Sequence, residues 1–343
     1  MRAVIIEKHG GVENLHYVED FPVPQPKAGE VRVRVRIAAL NRLDLWVREG
    51  WEGIKLPLPH ILGADAAGEI EALGEDVHGL AIGDRVVLNP GVSCGQCEWC
   101  LSGQDNLCPK FGILGEDMHG TYAEYVVVPA RNALKLPDHI SYEQAAAATL
   151  VYLTAWHSLI RRGNLKVGES VLIVGAGGGV NSATIQIAKL AGATVYVVAS
   201  NAEKAAQAQA LGADFCIDRS AEDWARAIFE RTERRGVDVV VDNVGMATIN
   251  SSIRAVRRGG RILIVGNTSG YAAHIDMRYL FAKHISLIGS TMAPHADFLQ
   301  VMRLVFAGKL QPVISARYPL AQARQAQERL AKGDVFGKIV LTV

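Results

Sequence analysis

A glycine-rich turn between an apolar run and a helical pattern limits most strongly what this chain can fold into. The segment 171-VLIVGAGGGVNSATIQIAKLAGA-193 places four apolar residues before the glycines and an apolar-periodic stretch after them. Glycines let the backbone approach a pyrophosphate, whose charge is stabilised by the free N–H groups and the dipole at the start of the helix. A second apolar run follows about 20 residues later, so the segment predicts a dinucleotide-binding strand, turn and helix.

The spacing of the glycines departs from G-x-G-x-x-G in its third position. Gly175 with Gly177 leaves Val180 in the third place, and Gly175 with Gly178 leaves Asn181 there. Because that glycine governs how closely the helix packs on the strand, we expect the helix to sit slightly farther out. A glycine turn without a ligand is the alternative. The backbone contacts predicted for the cofactor at this turn are Gly175, Ala176, Gly178, Gly179 and Val180.

The residues after the second apolar run predict which dinucleotide is bound. An acidic residue at this place binds the ribose diol of NAD, but the chain has Ala199, Ser200 and Asn201, with Lys204 one turn later. Hydroxyl, amide and ammonium donors without a carboxylate favour the 2′-phosphate of NADP. We therefore predict contacts from Ser200, Asn201 and Lys204 and prefer NADP, with NAD as the alternative because no Arg is adjacent in sequence.

The chain divides into two parts with different patterns, as 343 residues allow for about two domains. The first 140 residues hold short β-branched runs bounded by turn residues, and the later part alternates apolar runs with helical stretches, which predicts a doubly wound parallel sheet. The predicted strands are 31–37, 84–88 and 122–128 in the first part and 170–175, 194–199, 237–242, 261–266 and 284–290 in the second, with helices at 180–192 and 202–212.

The charge balance and the apolar runs exclude several classes of partner. The chain carries 36 Lys plus Arg against 35 Asp plus Glu, so no broad positive field exists to attract nucleic acid or an anionic membrane. It has no apolar segment of about 18 residues, and its first residues lack the apolar core of a secretion signal. We therefore expect a cytoplasmic protein that binds neither nucleic acid nor membrane.

Four of the five cysteines lie within fifteen residues and predict a metal site. Cys94, Cys97, Cys100 and Cys108 follow the spacing C-x2-C-x2-C-x7-C. Four thiolates complete a tetrahedron around Zn²⁺ and leave no open position, which is typical of a structural site. An iron–sulfur cluster is the rival, but the C-x3-C-P step of ferredoxins is absent. Two disulfides are the other alternative, which a reducing compartment disfavours.

The order of these two motifs resembles the medium-chain dehydrogenase/reductase family of zinc alcohol dehydrogenases and quinone oxidoreductases. The resemblance covers essentially the whole chain. It implies an α/β fold with a GroES-like, mainly β catalytic domain (1–138 and 291–343) and a Rossmann domain (139–290), with the cofactor in the cleft between them. The phrases that carry it include 62-LGADAAGEIEALG-74, 83-GDRVV-87, 120-GTYAEYVVVP-129, 152-YLTAW-156, 259-GGRILIVG-266 and 337-GKIVL-341.

The resemblance also implies further cofactor contacts by position. Arg42 and Lys338 resemble the family's basic residues at the pyrophosphate. The residues that resemble its contacts near the nicotinamide and adenosine ends are Thr154, Asn243, Gly266, Asn267 and Thr268.

The chain departs from the alcohol dehydrogenases of this family at the catalytic zinc. The positions of their three ligands read Asn41, Ala64 and Leu150 here, and these side chains cannot supply the roughly three protein ligands that a catalytic zinc needs. Asn41 and Asp65 look like the zinc-free quinone oxidoreductase branch. We therefore predict Asn41 as a polar contact to the substrate and Asp65 as a residue that shapes the pocket.

These inferences together predict hydride transfer between NAD(P)(H) and a small carbonyl, enone or quinone, with an alcohol on the reverse side. The alternatives are an alcohol dehydrogenase whose catalytic zinc uses non-standard ligands, and an NADP-binding redox sensor without turnover. His60, His119 and His157 are weak candidates for a proton donor. Family members are usually dimers or tetramers, so we expect a homodimer or homotetramer, in which the strand 284–290 could pair between subunits.

Overall fold

A computed structural model describes all residues, Met1–Val343. The chain forms two compact units: Met1–Val151 with Ala293–Val343, and Tyr152–Met292. The predicted Rossmann domain begins 13 residues before the second unit (139 against 152) and ends 2 residues before it (290 against 292). A single helix, Tyr142–Trp156, runs across the first of these boundaries along the chain, so no loop there marks the change of unit.

The segment up to residue 151 is mainly β, as its β-branched runs predicted. Its helices are α1 (Arg42–Glu49), α2 (Glu98–Leu101) and α3 (Tyr142–Trp156). Its strands are β1 (Ala3–Ile6), β2 (Leu15–Val18), β3 (Glu30–Ala39), β4 (His60–Ile61), β5 (Asp65–Leu73), β6 (Arg85–Leu88), β7 (Gly91–Val92), β8 (Gly112–Ile113), β9 (Tyr125–Pro129) and β10 (Ala133–Lys135).

Strand β3 forms the centre of this unit because its two faces differ. Val31, Val33 and Val35 are buried in the core, while the intervening arginines lie on the other face. That face was expected to be solvated, and the structure adds partners: Arg32 pairs with Glu71 at 2.5 Å and Arg36 with Glu69 at 2.8 Å. Strand β3 pairs antiparallel with both β5 and β9, which aligns Ala39 with Asp65 at one end of the sheet.

The segment from 152 to 292 is a Rossmann domain, which confirms the predicted parallel sheet. Its six strands lie in the order β13-β12-β11-β14-β15-β16, and all pairs are parallel. The strands are β11 (Ser170–Val174), β12 (Thr194–Ala199), β13 (Phe215–Asp218), β14 (Val237–Asp242), β15 (Val256–Ile264) and β16 (Ser286–Gly289). The helices are α4 (Gly179–Leu190), α5 (Ala202–Ala210), α6 (Trp224–Arg231), α7 (Ile249–Ala255) and α8 (Met277–Lys283).

The strand predicted at 284–290 differs from the others in burial. It was predicted as a strand of the parallel sheet that could also pair between subunits, and β16 is indeed an edge strand, in which Ser286, Leu287 and Gly289 are exposed. A run of apolar residues does not distinguish an edge strand from a central one, because exposure depends on whether a neighbour covers the strand.

After residue 292 the chain adds to the first unit. This segment forms α9 (His295–Phe306), β17 (Ile314–Pro319), α10 (Ala323–Lys332) and β18 (Lys338–Thr342). Strand β18 pairs antiparallel with β3 and parallel with β17, so the last strand enters the sheet that holds Asp65. None of the helices combines the length and the apolar character that crossing a membrane requires.

Candidate functional site

The glycine turn after β11 has the backbone conformation that the sequence predicted. Gly175 has φ +106°, where a side chain is strained, and a Cβ there would lie 2.8 Å from Nδ2 of Asn181. Gly178 is the residue before α4 and no side chain caps the helix, so its first N–H groups have no side-chain acceptor. Asn181 occupies one of the third-glycine positions and is buried, where its Oδ1 accepts a hydrogen bond from Nδ2 of Asn243 at 2.8 Å.

The residues predicted to read the 2′-position lie together after β12. Ser200 and Asn201 are exposed, and Asn201 caps α5 through its Oδ1, which accepts from the backbone N–H of Lys204 at 2.9 Å. The side chain of Lys204 is half-buried. No carboxylate stands at the end of β12 itself, since Ala199 is its last residue.

Three of the remaining predicted contacts in this unit, Asn243, Gly266 and Thr268, lie together at the ends of β14 and β15. Thr268 donates its backbone N–H to the carbonyl of Asn243 at 3.3 Å, and a Cβ on Gly266 would lie 3.1 Å from that same carbonyl. Asn267 and Thr268 are exposed. Thr154 lies in α3, and its buried Oγ1 has no hydrogen-bond partner within the protein. A buried hydroxyl without a partner is costly, so Thr154 fits a residue that a bound cofactor satisfies.

A buried ion pair lies where β3, β5 and β18 meet in the first unit. The ammonium of Lys338 donates to Oδ2 of Asp65 at 2.9 Å, to Oδ1 of Asn41 at 2.6 Å and to the carbonyl of Leu40 at 2.6 Å. Nδ2 of Asn41 also donates to Oδ2 of Asp65 at 2.9 Å. Asp65 is fully buried, and Lys338 and Asn41 nearly so. The sequence predicted these three residues for the site, and the structure brings them into one network.

The other oxygen of Asp65 accepts from two donors that the sequence analysis did not predict: the side chain of Thr149, which it did not name, and the backbone of Leu150. Oδ1 accepts from Oγ1 of Thr149 at 2.5 Å and from the backbone N–H of Leu150 at 3.0 Å. Both donors come from α3, more than 80 residues later in the chain, and no local sequence pattern predicts these contacts. Asp65 thus accepts four hydrogen bonds from four residues, which satisfies its charge by hydrogen bonding as well as by the ion pair.

The geometry differs from the role that the resemblance implied for Lys338. An ammonium has three N–H donors, and all three are used within the protein, so none is left for a pyrophosphate in this structure. Lys338 is the counter-ion of Asp65 instead. Arg42, the other residue assigned to the pyrophosphate, begins α1 with an exposed side chain.

Asp44 and Tyr122 support Asn41 from the side of α1. Oδ2 of Asp44 accepts from the backbone N–H of Asn41 and from the hydroxyl of Tyr122, each at 2.7 Å. Burial raises the pKa of Asp44 to about 7 despite these hydrogen bonds, and burial also raises the pKa of Tyr122. Asp44 stands three residues after Asn41, which is the spacing of a capping box, so this contact had a recognisable sequence signal.

Close packing of glycines fixes the start of β5. Gly63 has φ +97°, and a Cβ there would lie 2.3 Å from Cδ1 of Tyr122. A Cβ on Gly115 or Gly120 would lie within 2.5 Å of the backbone of Gly63. Three backbone segments are therefore in direct contact at Gly63, which immediately precedes Ala64 and Asp65 in the chain.

Two of the three candidate histidines lie near this start. His60 is fully buried, its Nε2 lies 3.2 Å from the carbonyl of Gly115, and burial lowers its pKa to about 4. His119 accepts from the backbone N–H of Ile61 at 3.3 Å, and burial lowers its pKa as well. Burial therefore disfavours the charged imidazolium form of both rings. His157 is largely buried within the other unit.

The four cysteines converge as the spacing predicted. Their Sγ atoms all lie within 4.8 Å of one another, with Cys94 to Cys100 at 3.8 Å and Cys97 to Cys100 at 3.5 Å. Thiolates placed 2.3 Å from a tetrahedral zinc are about 3.8 Å apart, whereas a disulfide bond is about 2.05 Å long. The arrangement fits a four-thiolate metal site. Cys216 lies outside it.

The metal-binding segment also contacts helix α9. Asp105, between Cys100 and Cys108, accepts the backbone N–H of His295 at 2.9 Å and so caps the start of α9. The ring of His295 lies 3.0 Å from Nδ2 of Asn89. The cysteine segment is therefore tied to α9 as well as to its own β7–β8 ribbon.

Comparison with known proteins matches both units. A GroES-like alcohol dehydrogenase domain model matches residues 27–138, and a zinc-binding dehydrogenase model matches residues 179–307. A solved NAD-dependent alcohol dehydrogenase is 47% identical with a TM-score of 0.96 over the whole of both chains. An acryloyl-coenzyme A reductase of Metallosphaera sedula is 31% identical over the whole of both chains. The human quinone oxidoreductase is 30% identical over 99% of this chain and 97% of its own.

The fold and the two domain matches define a GroES-like domain combined with a Rossmann domain. The chain belongs to the medium-chain dehydrogenase/reductase family, which confirms the resemblance inferred from the motifs. Its relatives include both alcohol dehydrogenases and quinone oxidoreductases.

The residues at the family's catalytic zinc position do not fit a metal. Ala64 and Leu150 have no ligand atom in their side chains. The carboxylate of Asp65 accepts four hydrogen bonds, and an ammonium already lies beside it. A cation brought to Asp65 would have to displace Lys338, since two positive charges against one buried carboxylate repel each other.

Proposed function

We propose that this protein is an NAD(P)(H)-dependent oxidoreductase that transfers hydride to or from a small carbonyl, enone or quinone without a catalytic metal. The observation that carries the proposal is the Lys338–Asp65–Asn41 network, which places an ammonium and a fully hydrogen-bonded carboxylate against Asn41, one of the three family ligand positions. Alcohol is the corresponding substrate on the reverse side.

Asn41 is the residue that contacts the substrate oxygen in this proposal. Its amide has two N–H donors, and Asp65 takes one of them. Lys338 donates to the amide oxygen at 2.6 Å, which polarises the amide and strengthens the remaining N–H as a donor. Negative charge develops on the substrate oxygen as hydride adds to an electrophilic carbon, and a fixed donor stabilises that charge. Asp65 holds the Asn41 amide in this orientation.

The second unit binds the dinucleotide, which supplies the hydride or accepts it at C4 of the nicotinamide. The glycine turn at 175–179 and the start of α4 bind the pyrophosphate, and Thr154 and Asn243 lie at the nicotinamide end. Asn267 and Thr268 extend this group. NADP is the preferred form because Ser200, Asn201 and Lys204 offer donors and no carboxylate at the end of β12. This preference departs from the name of the 47% identical alcohol dehydrogenase, which is NAD-dependent.

The four cysteines bind one structural zinc in this proposal. Four thiolates close the coordination shell, so this metal stabilises the fold and takes no part in the reaction. Thiolates must stay reduced to bind zinc, which is consistent with a cytoplasmic protein.

An activated double bond is the substrate feature that the metal-free site favours. The quinone oxidoreductase among the relatives is named for a substrate with a carbon–carbon double bond conjugated to a carbonyl, and so is the acryloyl-coenzyme A reductase. Conjugation spreads the developing charge onto the carbonyl oxygen, where a single amide donor can stabilise it. A saturated alcohol needs stronger activation, which zinc provides in the dehydrogenases.

Metal analysis combined with turnover tests this proposal. We expect one zinc per chain, and loss of NADPH absorbance with a quinone or an enone that persists after brief exposure to a chelator that leaves the fold intact. Two zinc ions per chain with chelator-sensitive alcohol oxidation would establish the alternative, a catalytic zinc with non-standard ligands. Cofactor binding without turnover of any carbonyl, enone, quinone or alcohol would establish a redox sensor.

We further propose a homodimer formed by the edge strand β16. Leu287 on this strand is exposed, and so are large apolar side chains on α8 and the loop before it: Tyr271 (93%), Met277 (64%) and Phe281 (70%). Two copies of an edge strand related by a twofold axis satisfy each other's free backbone groups. Light scattering after size-exclusion chromatography tests this, since Leu287→Lys should yield monomers and Leu101→Lys, on an exposed helix of the other unit, should not.

A further inference from the structure

An arginine after β13 lies beside the end of β12, although 20 residues separate the two along the chain (219 against 199). The backbone N–H of Arg219 donates to the carbonyl of Ala199 at 3.0 Å. Ala199 and Asp218 are paired residues of the parallel sheet, so both strands end at the same edge. Arg219 therefore stands next to Ser200 and Asn201, which were assigned to the 2′-position of the cofactor.

The guanidinium of Arg219 is exposed and engaged in no hydrogen bond or ion pair. Most arginines of this unit are paired, for example Arg231 with Glu222 and Arg261 with Glu169. An exposed cation that the fold leaves unpaired at a ligand-binding edge is free to bind an anion. The carboxyl edge of such a sheet is where ligands bind.

The turn after β13 also orients the neighbouring carboxylate. Oδ1 of Asp218 accepts from the backbone N–H of Ser220 at 2.9 Å and from its hydroxyl at 2.6 Å. These bonds hold the Asp218 carboxylate against Ser220, within the turn that also contains the exposed Arg219. Glu203 in the first turn of α5 is the other acid near the end of β12, and Lys204 beside it offsets its charge.

We propose that Arg219 binds the 2′-phosphate of NADP(H), and that Ser200 and Lys204 assist it. A phosphate monoester carries a charge of about −1.5 to −2 at neutral pH, and the planar fork of a guanidinium matches its oxygens. The inference rests on the proposed preference for NADP. It supplies an arginine beside the end of β12, where none is adjacent along the chain. Arg219 adds a second positive charge for the 2′-phosphate at the end of β12, where the residues that follow this strand offer only Lys204.

Calorimetric titration with two nucleotide fragments tests the inference without turnover. The probes are 2′,5′-ADP, which has the phosphate, and 5′-AMP, which lacks it. The variants are Arg219→Gln, Arg219→Lys and the control Arg234→Gln. Arg234 is also exposed and unpaired, but it lies in the loop that leads into β14, at the opposite edge of the sheet.

We expect the unmodified protein to bind 2′,5′-ADP more tightly than 5′-AMP. Arg219→Gln should weaken the affinity for 2′,5′-ADP by about 10- to 100-fold, as expected for loss of hydrogen bonds to a charged group. The affinity for 5′-AMP should stay within about twofold of that of the unmodified protein. Arg219→Lys should keep part of the affinity, and Arg234→Gln should change neither ligand. Circular dichroism of each variant checks that the fold is intact.

Two results distinguish failure of this inference from failure of the cofactor preference. If the unmodified protein binds both fragments equally, the proposed preference for NADP is wrong, and the inference about Arg219 fails as well. If it prefers 2′,5′-ADP but Arg219→Gln behaves like Arg234→Gln, the preference holds and the role of Arg219 is overturned. Equal weakening of both fragments by Arg219→Gln also overturns it, because a structural defect affects both.

Discussion

The ammonium of Lys338 lies 2.9 Å from the carboxylate of Asp65, with both groups shielded from solvent. Removing one member of a buried ion pair leaves the other charge uncompensated, which costs about 3–5 kcal/mol. We expect Lys338→Met to lower the free energy of unfolding by about this amount in urea titrations. Lys309→Met, at an exposed position of the same unit, should lower it by less than about 0.5 kcal/mol.

The double variant Asp65→Asn/Lys338→Met tests the pairing directly. Asn retains an oxygen that accepts from Thr149 and Leu150 but carries no charge, so the double variant should be more stable than the sum of the two single losses predicts. Simple additivity would show that the two charges do not interact.

The metal site has a prediction that does not depend on catalysis. Cys100→Ser should reduce the zinc content from one ion per chain toward zero and lower the melting temperature, because metal binding to a four-thiolate site contributes to folding. Cys216 lies outside the cluster, so Cys216→Ser should leave the zinc content and the melting temperature unchanged. Elemental analysis and calorimetric melting measure them, and a full zinc content in Cys100→Ser would rule out this site.

The carboxyl group of Asp44 gives the stability a specific pH dependence. Its pKa is raised from 3.8 to about 7 by burial, so the folded protein keeps a proton that the unfolded chain releases near pH 4. The neutral group contributes fully below about pH 4, and this contribution is lost as the pH rises to about 7.

Asp44→Asn removes this titration while keeping an oxygen for Asn41 and Tyr122. The free energy of unfolding of the variant relative to the unmodified protein should therefore rise steadily between pH 4 and pH 7. Urea titrations at four or five pH values measure this difference. A constant difference would mean that Asp44 has an ordinary pKa in the folded state.

Gly63→Ala tests the packing of backbones before Asp65. The new Cβ would meet the ring of Tyr122 and also occupy φ +97°, so we expect a loss of more than about 2 kcal/mol. Gly79 is a matched control, since it has φ +79° but nothing within 4 Å of an added Cβ. Gly79→Ala should show the backbone strain alone, about 1–2 kcal/mol. Equal losses in both variants would show that the crowding at Gly63 relaxes without cost.

The sequence predicted those parts of the structure that depend on local pattern. The Val/Arg alternation placed β3, and the glycine turn placed β11 and α4, because side-chain period and turn chemistry are properties of short segments. The convergence of four cysteines also followed from their spacing.

Contacts between distant segments were predictable only in part. The resemblance selected Asn41, Asp65 and Lys338, but it assigned Lys338 to the cofactor, since a sequence shows a cation without showing its partner. Thr149 was missed for the same reason, as was the position of Arg219 beside Ala199. Register between strands and helices decides these contacts, and it is set by the whole fold.

The counter-ion of Asp65 arrives 273 residues after it along the chain. At a synthesis rate of roughly 5–20 residues per second, Lys338 is synthesised about 15–55 s after Asp65. The whole Rossmann segment leaves the ribosome during that time and can fold as a unit. The first unit cannot bury Asp65 with its charge balanced until β18 is made, so the sheet that surrounds this carboxylate is completed only after the whole Rossmann segment has been synthesised.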